Sequence, residues 1–199
     1  MLYRKTHTFL FFLFLILFSN YSYADSWLID PSHTSITFKI RHLGVSWVRG
    51  EFRSAKGIIT YDSNNAEATK AEITIDAASI NTRNERRDRH LRSSDFFDVE
   101  NHPKIQFISS KVQNLKKDGF DLIGLLTIRG IRKEITIKVS DISSVLKRKG
   151  RRSKMGASGK TQIKRKDFNV SWNRFLDNGG WVLGNTVHIS LDVELDKSN

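Results

Sequence analysis

The chain has 199 residues, no cysteine and a formal net charge of +12 at pH 7. Without cysteine it forms no disulfide and cannot be anchored as a lipoprotein through an acylated cysteine. A strongly basic chain is attracted to anionic partners, and we expect these to be membrane surfaces, lipid head groups or envelope polymers.

The first 24 residues have the pattern of a secretory signal peptide. Arg4 and Lys5 precede an apolar run over residues 9–18, and a small-residue cleavage site follows at residues 22–24. The run is too short for a membrane span, which needs about 20 residues. We predict a cleaved signal peptide over 1–24, export to the periplasm or secretion, and one domain over 25–199. An uncleaved anchor is the alternative.

After residue 30 the apolar residues repeat with a period of two, which is typical of antiparallel strands with one buried face. Val187, Ile189 and Leu191, for example, alternate with polar residues. The predicted strands cover residues 26–29 (short), 34–43, 47–61, 68–77, 104–113, 120–129, 133–143, 154–168 and 186–196. Eight main strands fit either a packed sandwich or an up-and-down barrel that holds a small ligand, and periodicity leaves both open.

Residues 82–107 form the longest interruption of this strand pattern. Thr82 and Glu85 have the spacing of a capping box, which predicts a short helix over 83–92. The helix has almost no apolar face, so it is not a core helix. Phe96 and Phe97 follow it. A polar helix followed by an aromatic pair predicts a lid over one end of the sheet structure.

Six segments resemble the motifs of one family. They are residues 27–38 (WLIDPSHTSITF), 48–52 (VRGEF), 87–98 (RDRHLRSSDFFD), 103–107 (PKIQF), 124–130 (GLLTIRG) and 165–168 (RKDF). In this order they are similar to the YceI-like family of exported lipid-binding proteins. The resemblance implies an extended lipocalin-like barrel that holds a long-chain isoprenoid or a related amphiphile. The chain departs from the family pattern at Leu125 and at residues 169–170, which could alter the cavity or its entrance.

We expect the apolar strand faces to line the cavity, and for each residue plain core packing is the alternative. The predicted lining is Ile36, Phe38, Ile40, Ile73, Ile75, Phe107, Leu122, Leu126, Phe168 and Trp172. The predicted lid and entrance residues are Arg83, Arg87, Asp88, His90, Leu91, Phe96 and Phe97. The polar residues of the family-like motifs are Asp30, His33, Arg165 and Asp167.

Two polar clusters could suggest catalysis: Asp30, Ser32 and His33, and His90, Ser93 and Asp95. Neither lies on a G-x-S-x-G nucleophile elbow. No histidine pair has H-E-x-x-H or similar spacing, so we expect no metal site. We predict a binding protein without cofactor other than its lipid. An enzyme acting on a lipid inside the barrel and a structural envelope protein with a filled core are the alternatives.

The segment 82–98 also carries alternating charges, and we expect Arg87, Asp88, Arg89 and Asp95 to form an ion-pair network that holds the lid. The middle of the strand 120–128 is apolar on both faces, which predicts cover on both sides or a partner, and a homodimer is one alternative.

The densest basic run is a further candidate for a partner surface. It comprises Lys147, Arg148, Lys149, Arg151, Arg152 and Lys154. We interpret it as a loop that contacts an anionic membrane surface, with a solvated loop as the alternative. Nucleic acid is not an expected partner, because the protein is predicted to be exported.

Overall fold

The computed structural model describes residues 25–176 and 179–198. The strands are β1 (Asp25–Ile29), β2 (Ser35–His42), β3 (Ser46–Phe52), β4 (Ala55–Tyr61), β5 (Lys70–Asp76), β6 (Ile80–Asn81), β7 (Lys104–Lys116), β8 (Gly119–Ile128), β9 (Ile131–Ser140), β10 (Lys154–Lys164) and β11 (Leu183–Lys197); the helix α1 is Glu85–Arg92. The predicted signal peptide lies outside the described residues. Among those described, no helix has the length and apolar character needed to cross a membrane.

Three pairs of consecutive strands form three long strands: β1 with β2, β3 with β4, and β5 with β6. β2 and β3 pair near one end of the molecule, and β1 and β4 pair near the other. With β7 to β11 they make eight long antiparallel strands. β11 pairs with β10 on one side and with both β1 and β2 on the other, which closes the ring. The predicted eight-stranded antiparallel barrel is therefore confirmed.

The long strands break at matching levels. The predicted strand over 47–61 is interrupted at Arg53 and Ser54, where the Ser54 N–H donates to Ser79 Oγ at 3.2 Å and its carbonyl accepts from Asp76 N at 2.9 Å. The break in one strand is thus bonded to the break in its neighbour. The predicted strand over 154–168 ends earlier, because Arg165–Phe168 turns into a 3₁₀ helix.

The predicted short helix is present as α1, but it begins at Glu85 rather than at residue 83, and the capping box from Thr82 to Glu85 is wrong. Its N-cap is Asn84, whose side chain accepts from Arg87 N at 2.9 Å. Arg83 has a φ of 60°, so the chain turns sharply between Thr82 and the helix. Glu85 is consequently the first helical residue and cannot bond back to Thr82.

The two ends of the barrel differ. We call the end where β2, β8 and β10 finish the mouth, and the opposite end the floor. Four buried residues, Trp27, Ile29, Met155 and Leu195, pack together at the floor. The segment with α1 lies at the mouth, between β6 and β7. The barrel is therefore plugged at one end and covered by a short polar helix at the other.

Candidate ligand cavity

A cavity of about 830 Å³ occupies the barrel between the floor and the mouth. Its volume lies within the roughly 300–1,000 Å³ of small-molecule sites. Nine of the ten residues predicted to line it lie on its wall: Ile36, Phe38, Ile40, Ile73, Ile75, Phe107, Leu126, Phe168 and Trp172. Their place on the wall follows from strand alternation, which points every second side chain inward.

Leu122 is the exception among the predicted lining residues. It is buried in the core, but it lies nearer the floor than Leu126 and does not reach the cavity. Conversely, the wall includes apolar residues that are not among the predicted lining residues: Ile105, Ile128, Ile135, Ile137, Ile163, Val170, Leu183, Val187, Ile189 and Leu191. Most of them share the period of two, so the signal that finds strands also finds this wall.

The mouth is lined by an aromatic cluster contributed by the helix α1 and by two loops. The His90 ring lies 4.9 Å from Trp172 and 5.0 Å from Phe96, and the Phe96 and Trp172 rings lie 5.3 Å apart. Asp95 accepts from His90 Nε2 at 2.8 Å and so fixes the ring. Leu91, Phe97 and Arg87 also lie on the cavity wall, as predicted for lid residues.

Arg83 and Asp88 do not face the cavity. Arg83 is exposed outside the barrel, and Asp88 is buried beneath α1. The Asp88 carboxylate accepts from Thr82 N at 2.9 Å and from Thr82 Oγ1, while Arg87 donates to the same hydroxyl at 2.7 Å.

The predicted network of Arg87, Asp88, Arg89 and Asp95 is therefore replaced by separate contacts. Arg89 reaches only Glu85, at 4.0 Å, and Asp95 pairs with His90. A polar hinge at Thr82, rather than an ion-pair network, connects the lid to β6.

Arg165 is a buried cation in the cavity wall, with 4% of its surface exposed. It donates to the carbonyl oxygens of Gly184 (2.9 Å), Val170 (2.6 Å) and Trp172 (2.8 Å). Its Nη2 is buried without a hydrogen-bond partner among the described residues. Desolvation lowers the pKa of Arg165. The guanidinium thus holds the mouth loop together, and its Nη2 is left buried and unpaired.

Comparison with known proteins identifies the family. The sequence pattern of the YceI-like domain matches residues 27–195. The chain belongs to the YceI-like family. It is 38% identical to protein YceI of Escherichia coli over 144 residues, which are 71% of this chain and 73% of that protein. The predicted family membership is therefore confirmed.

Solved structures of other proteins have the same fold. The Campylobacter jejuni YceI protein superposes with a TM-score of 0.67 at 32% identity, covering 81% of this chain and 91% of that one. A polyisoprenoid binding domain from Saccharophagus degradans has the same fold, with a TM-score of 0.62 at 13% identity, covering 88% of this chain and 99% of that one.

The motif residues Asp30 and His33 lie on the outer wall of this YceI-like barrel, far from the cavity. His33 Nδ1 is 2.9 Å from Asp30 Oδ2. Lys154 Nζ bridges Asp30 (2.9 Å), Glu194 (2.6 Å) and Asp196 (3.0 Å). Asp30, His33 and Glu194 have the spacing of metal ligands, but the two carboxylates of this group already pair with the ammonium group of Lys154, which supplies the positive charge that a metal ion would bring.

This cluster corrects one prediction and sets three pKa directions. Lys154 is only 18% exposed and is occupied by carboxylates, so it is not part of a membrane-binding loop. Hydrogen bonds from Lys154 and His33 lower the pKa of Asp30, and the three carboxylates raise the pKa of Lys154. The hydrogen bond to Asp30 raises the pKa of His33.

Neither cluster with a serine and a histidine is assembled as a nucleophile and its base. Ser32 contributes its backbone N–H to Asp30, and Ser93 Oγ donates to the carbonyl of His90 rather than to its ring. The remaining motif residue, Asp167, is exposed in the 3₁₀ turn. The cavity wall, which includes Arg165, is thus where most of the predicted site residues of this YceI-like chain come together.

Proposed function

We propose that the protein binds one long-chain amphiphile in the barrel, tail inward, and carries or stores it in the periplasm. The ligand would be a polyisoprenoid, an isoprenoid quinone or a fatty-acid derivative. The observation that supports this most is the apolar cavity, which reaches along β11 from Leu183 to Leu191. Eight residue steps correspond to about 26 Å of strand, a shape suited to an extended chain.

The energetics favour a ligand that leaves a membrane. Burying a CH₂ group gains roughly 0.8 kcal/mol relative to water. Inside a bilayer the chain is already dry, so the barrel and the bilayer offer the tail similar free energies. The head group then decides the balance.

The free donor of Arg165 supports a head group that accepts a hydrogen bond. A buried donor without a partner carries a desolvation cost of about 1–3 kcal/mol. A quinone, carboxyl or phosphate oxygen at the mouth would remove this cost. The polyisoprenoid binding domain of Saccharophagus degradans, which shares the fold, also supports a prenyl tail. No catalytic step is part of the proposal, and a filled core is disfavoured by the cavity.

A matched pair of variants tests the proposal. Leu126 lies on the cavity wall, and its neighbour Leu125 is exposed on the outer face of the same strand. Leu126→Trp places a large ring inside the cavity and narrows it, whereas Leu125→Trp adds the same volume outside. Both proteins, and the wild type, are purified natively from the envelope fraction, extracted with solvent and analysed by mass spectrometry.

We expect a stoichiometric long-chain lipid from the wild type and from Leu125→Trp, and at least a tenfold lower yield from Leu126→Trp. Overpacking costs about 1–3 kcal/mol, so a thermal melt establishes that Leu126→Trp is folded. A wild-type protein that stays empty after incubation with envelope lipids would refute the proposal.

A further inference from the structure

Two loop tips at the mouth expose large apolar side chains. Leu43 and Val45, in the β2–β3 turn, are 41% and 79% exposed, and Phe175 and Trp181, before β11, are 59% and 53% exposed. The Phe175 and Trp181 rings pack against each other at 5.1 Å, and Leu43 N donates to Val182 O at 2.8 Å. The tips are therefore neighbours, and we call these four side chains the mouth edge.

The conformation of Leu43 is unfavourable for its residue type. Leu43 has a φ of 54° and Gly44 a φ of 73°, and Val45 N donates to His42 O at 3.1 Å, so the tip is a type I′ turn. The first central position of this turn suits asparagine, aspartate or glycine. A leucine there still leaves 41% of its surface exposed, which indicates that its apolar side chain contacts a surface outside the chain.

A basic band lies behind the mouth edge on the outer wall. Lys39 and Arg49 are directly opposite each other on β2 and β3, although like charges in that register repel. Neither has an ion-pair partner within the described part of the chain. Arg41 lies over the Trp47 ring at 4.2 Å.

Lys39 and Arg49 also line a polar groove of about 420 Å³, together with Arg83 and His188. The acid in this groove, Glu51, is already held by Arg53 at 3.0 Å and by Asn81. An oxyanion in the groove would therefore meet unneutralised positive charge.

We propose that the mouth edge inserts into the surface of an anionic lipid bilayer while the basic band contacts its head groups. This rests on the proposed function, because it brings the cavity to its lipid source. Arg41 lies two residues from the tip and Lys39 four, or about 7 and 13 Å along the strand. An interfacial apolar element enters a bilayer by about 5–10 Å, so both charges reach the head-group layer.

The proposed surface is distinct from the basic loop of residues 147–152. That loop precedes β10, which begins at the floor, whereas the mouth edge lies where β10 ends. One flat bilayer cannot contact both ends of the barrel. Membrane contact through the basic loop would leave the cavity facing away from the lipid.

The experiment is flotation with vesicles of phosphatidylcholine containing phosphatidylglycerol, and with phosphatidylcholine alone. Val45→Asp/Phe175→Asp removes the mouth edge, and Leu115→Asp/Leu146→Asp is the matched control at the floor, where both leucines are also exposed. We expect at least a tenfold loss of binding for the first pair and no change for the second.

Charge is tested in the same assay. Lys39→Gln/Arg49→Gln should weaken binding to anionic vesicles by about thirtyfold, from the contribution of each basic residue at such a surface. Lys147→Gln/Lys149→Gln should leave it unchanged. The reverse pattern would overturn the proposal in favour of the basic loop, and equal binding by all variants would overturn it as well.

Two readouts separate this proposal from the proposed function and from a dimer. Each protein is also loaded with an isoprenoid quinone from detergent, without vesicles. If the wild type takes up the quinone but does not float with vesicles, membrane docking is overturned and the binding function stands. If it floats with vesicles but takes up no quinone, the binding function is overturned and docking stands. A wild-type dimer in native mass spectrometry that dissociates in Val45→Asp/Phe175→Asp would assign the mouth edge to a second copy and overturn membrane docking.

Discussion

Replacing Arg165 by methionine should destabilise the barrel by about 3 kcal/mol. The side chain makes three hydrogen bonds to backbone carbonyls of the mouth loop and β11. Hydrogen bonds to a charged donor contribute about 1.5–3 kcal/mol each, which gives roughly 4.5–9 kcal/mol for three. Burial of the guanidinium costs several kcal/mol, and methionine removes that cost. The difference is a net loss of about 3 kcal/mol.

Urea unfolding, followed by tryptophan fluorescence, measures this loss. Arg129→Met is the matched control, because Arg129 bonds a single carbonyl, that of Asn169, at 2.9 Å and is partly exposed. We expect about 1.5 kcal/mol for the control, the lower end of the range for one hydrogen bond from a charged donor, because Arg129 is partly exposed. If Arg165→Met were no less stable than Arg129→Met, the buried guanidinium would not be holding the mouth loop, and the argument from its three bonds would be refuted.

Three further changes test separate parts of the structure. Leu43→Asn should raise the free energy of unfolding by about 1 kcal/mol, since asparagine tolerates the left-handed turn, and should weaken vesicle flotation; a less stable variant would contradict the turn assignment. Asp88→Ala should cost about 1–3 kcal/mol by leaving Thr82 N–H unpaired in the interior and should speed amide exchange in α1; unchanged exchange would count against the hinge. Lys154→Met should lower the melting temperature at neutral pH. Lys154 lowers the pKa of Asp30, so its contribution is present above about pH 4 and fades as the pH falls through the lower pKa of the folded state; an undiminished difference in strong acid would contradict the pairing. Because the pKa of Lys154 is raised, the contribution should also persist up to about pH 10.

The positions of the strands and their apolar faces could be predicted from the sequence because the signal for them is local. Alternation at Ile36, Phe38 and Ile40 fixes which face of one strand is apolar, and it needs no knowledge of the neighbours. Whether the strands close into a barrel or pack as a sandwich depends on pairing between distant strands, which the local pattern does not show. The family resemblance supplied the prediction of a barrel. The break at residues 53–54 was missed, because it depends on hydrogen bonds to the neighbouring strand pair at Asp76 and Ser79.

The site was less predictable, since its contacts join distant parts of the chain. Lys154 belongs to a basic run by sequence, but its partner Asp30 lies 124 positions away. The capping-box reading failed because the left-handed φ of Arg83 separates Thr82 from the helix. Leu122 has the period that points its side chain into the barrel, but it lies too close to the floor to reach the cavity. Its position along the barrel axis relative to the end of the cavity cannot be read from the period. Pattern therefore predicted which residues face inward but not which of them reach the cavity.

The last strand of the chain also determines when the barrel can form. β11 pairs with β10, β2 and β1, so it carries the hydrogen bonds that join the first strands to the last. During synthesis, which runs from the N-terminus, β1 and β2 have no partner on that side until residues 183–197 are made. Long-range pairing of this kind delays folding. An emerging chain thus stays open until the 15 residues of β11 have been made, and the pairing of these residues closes the ring.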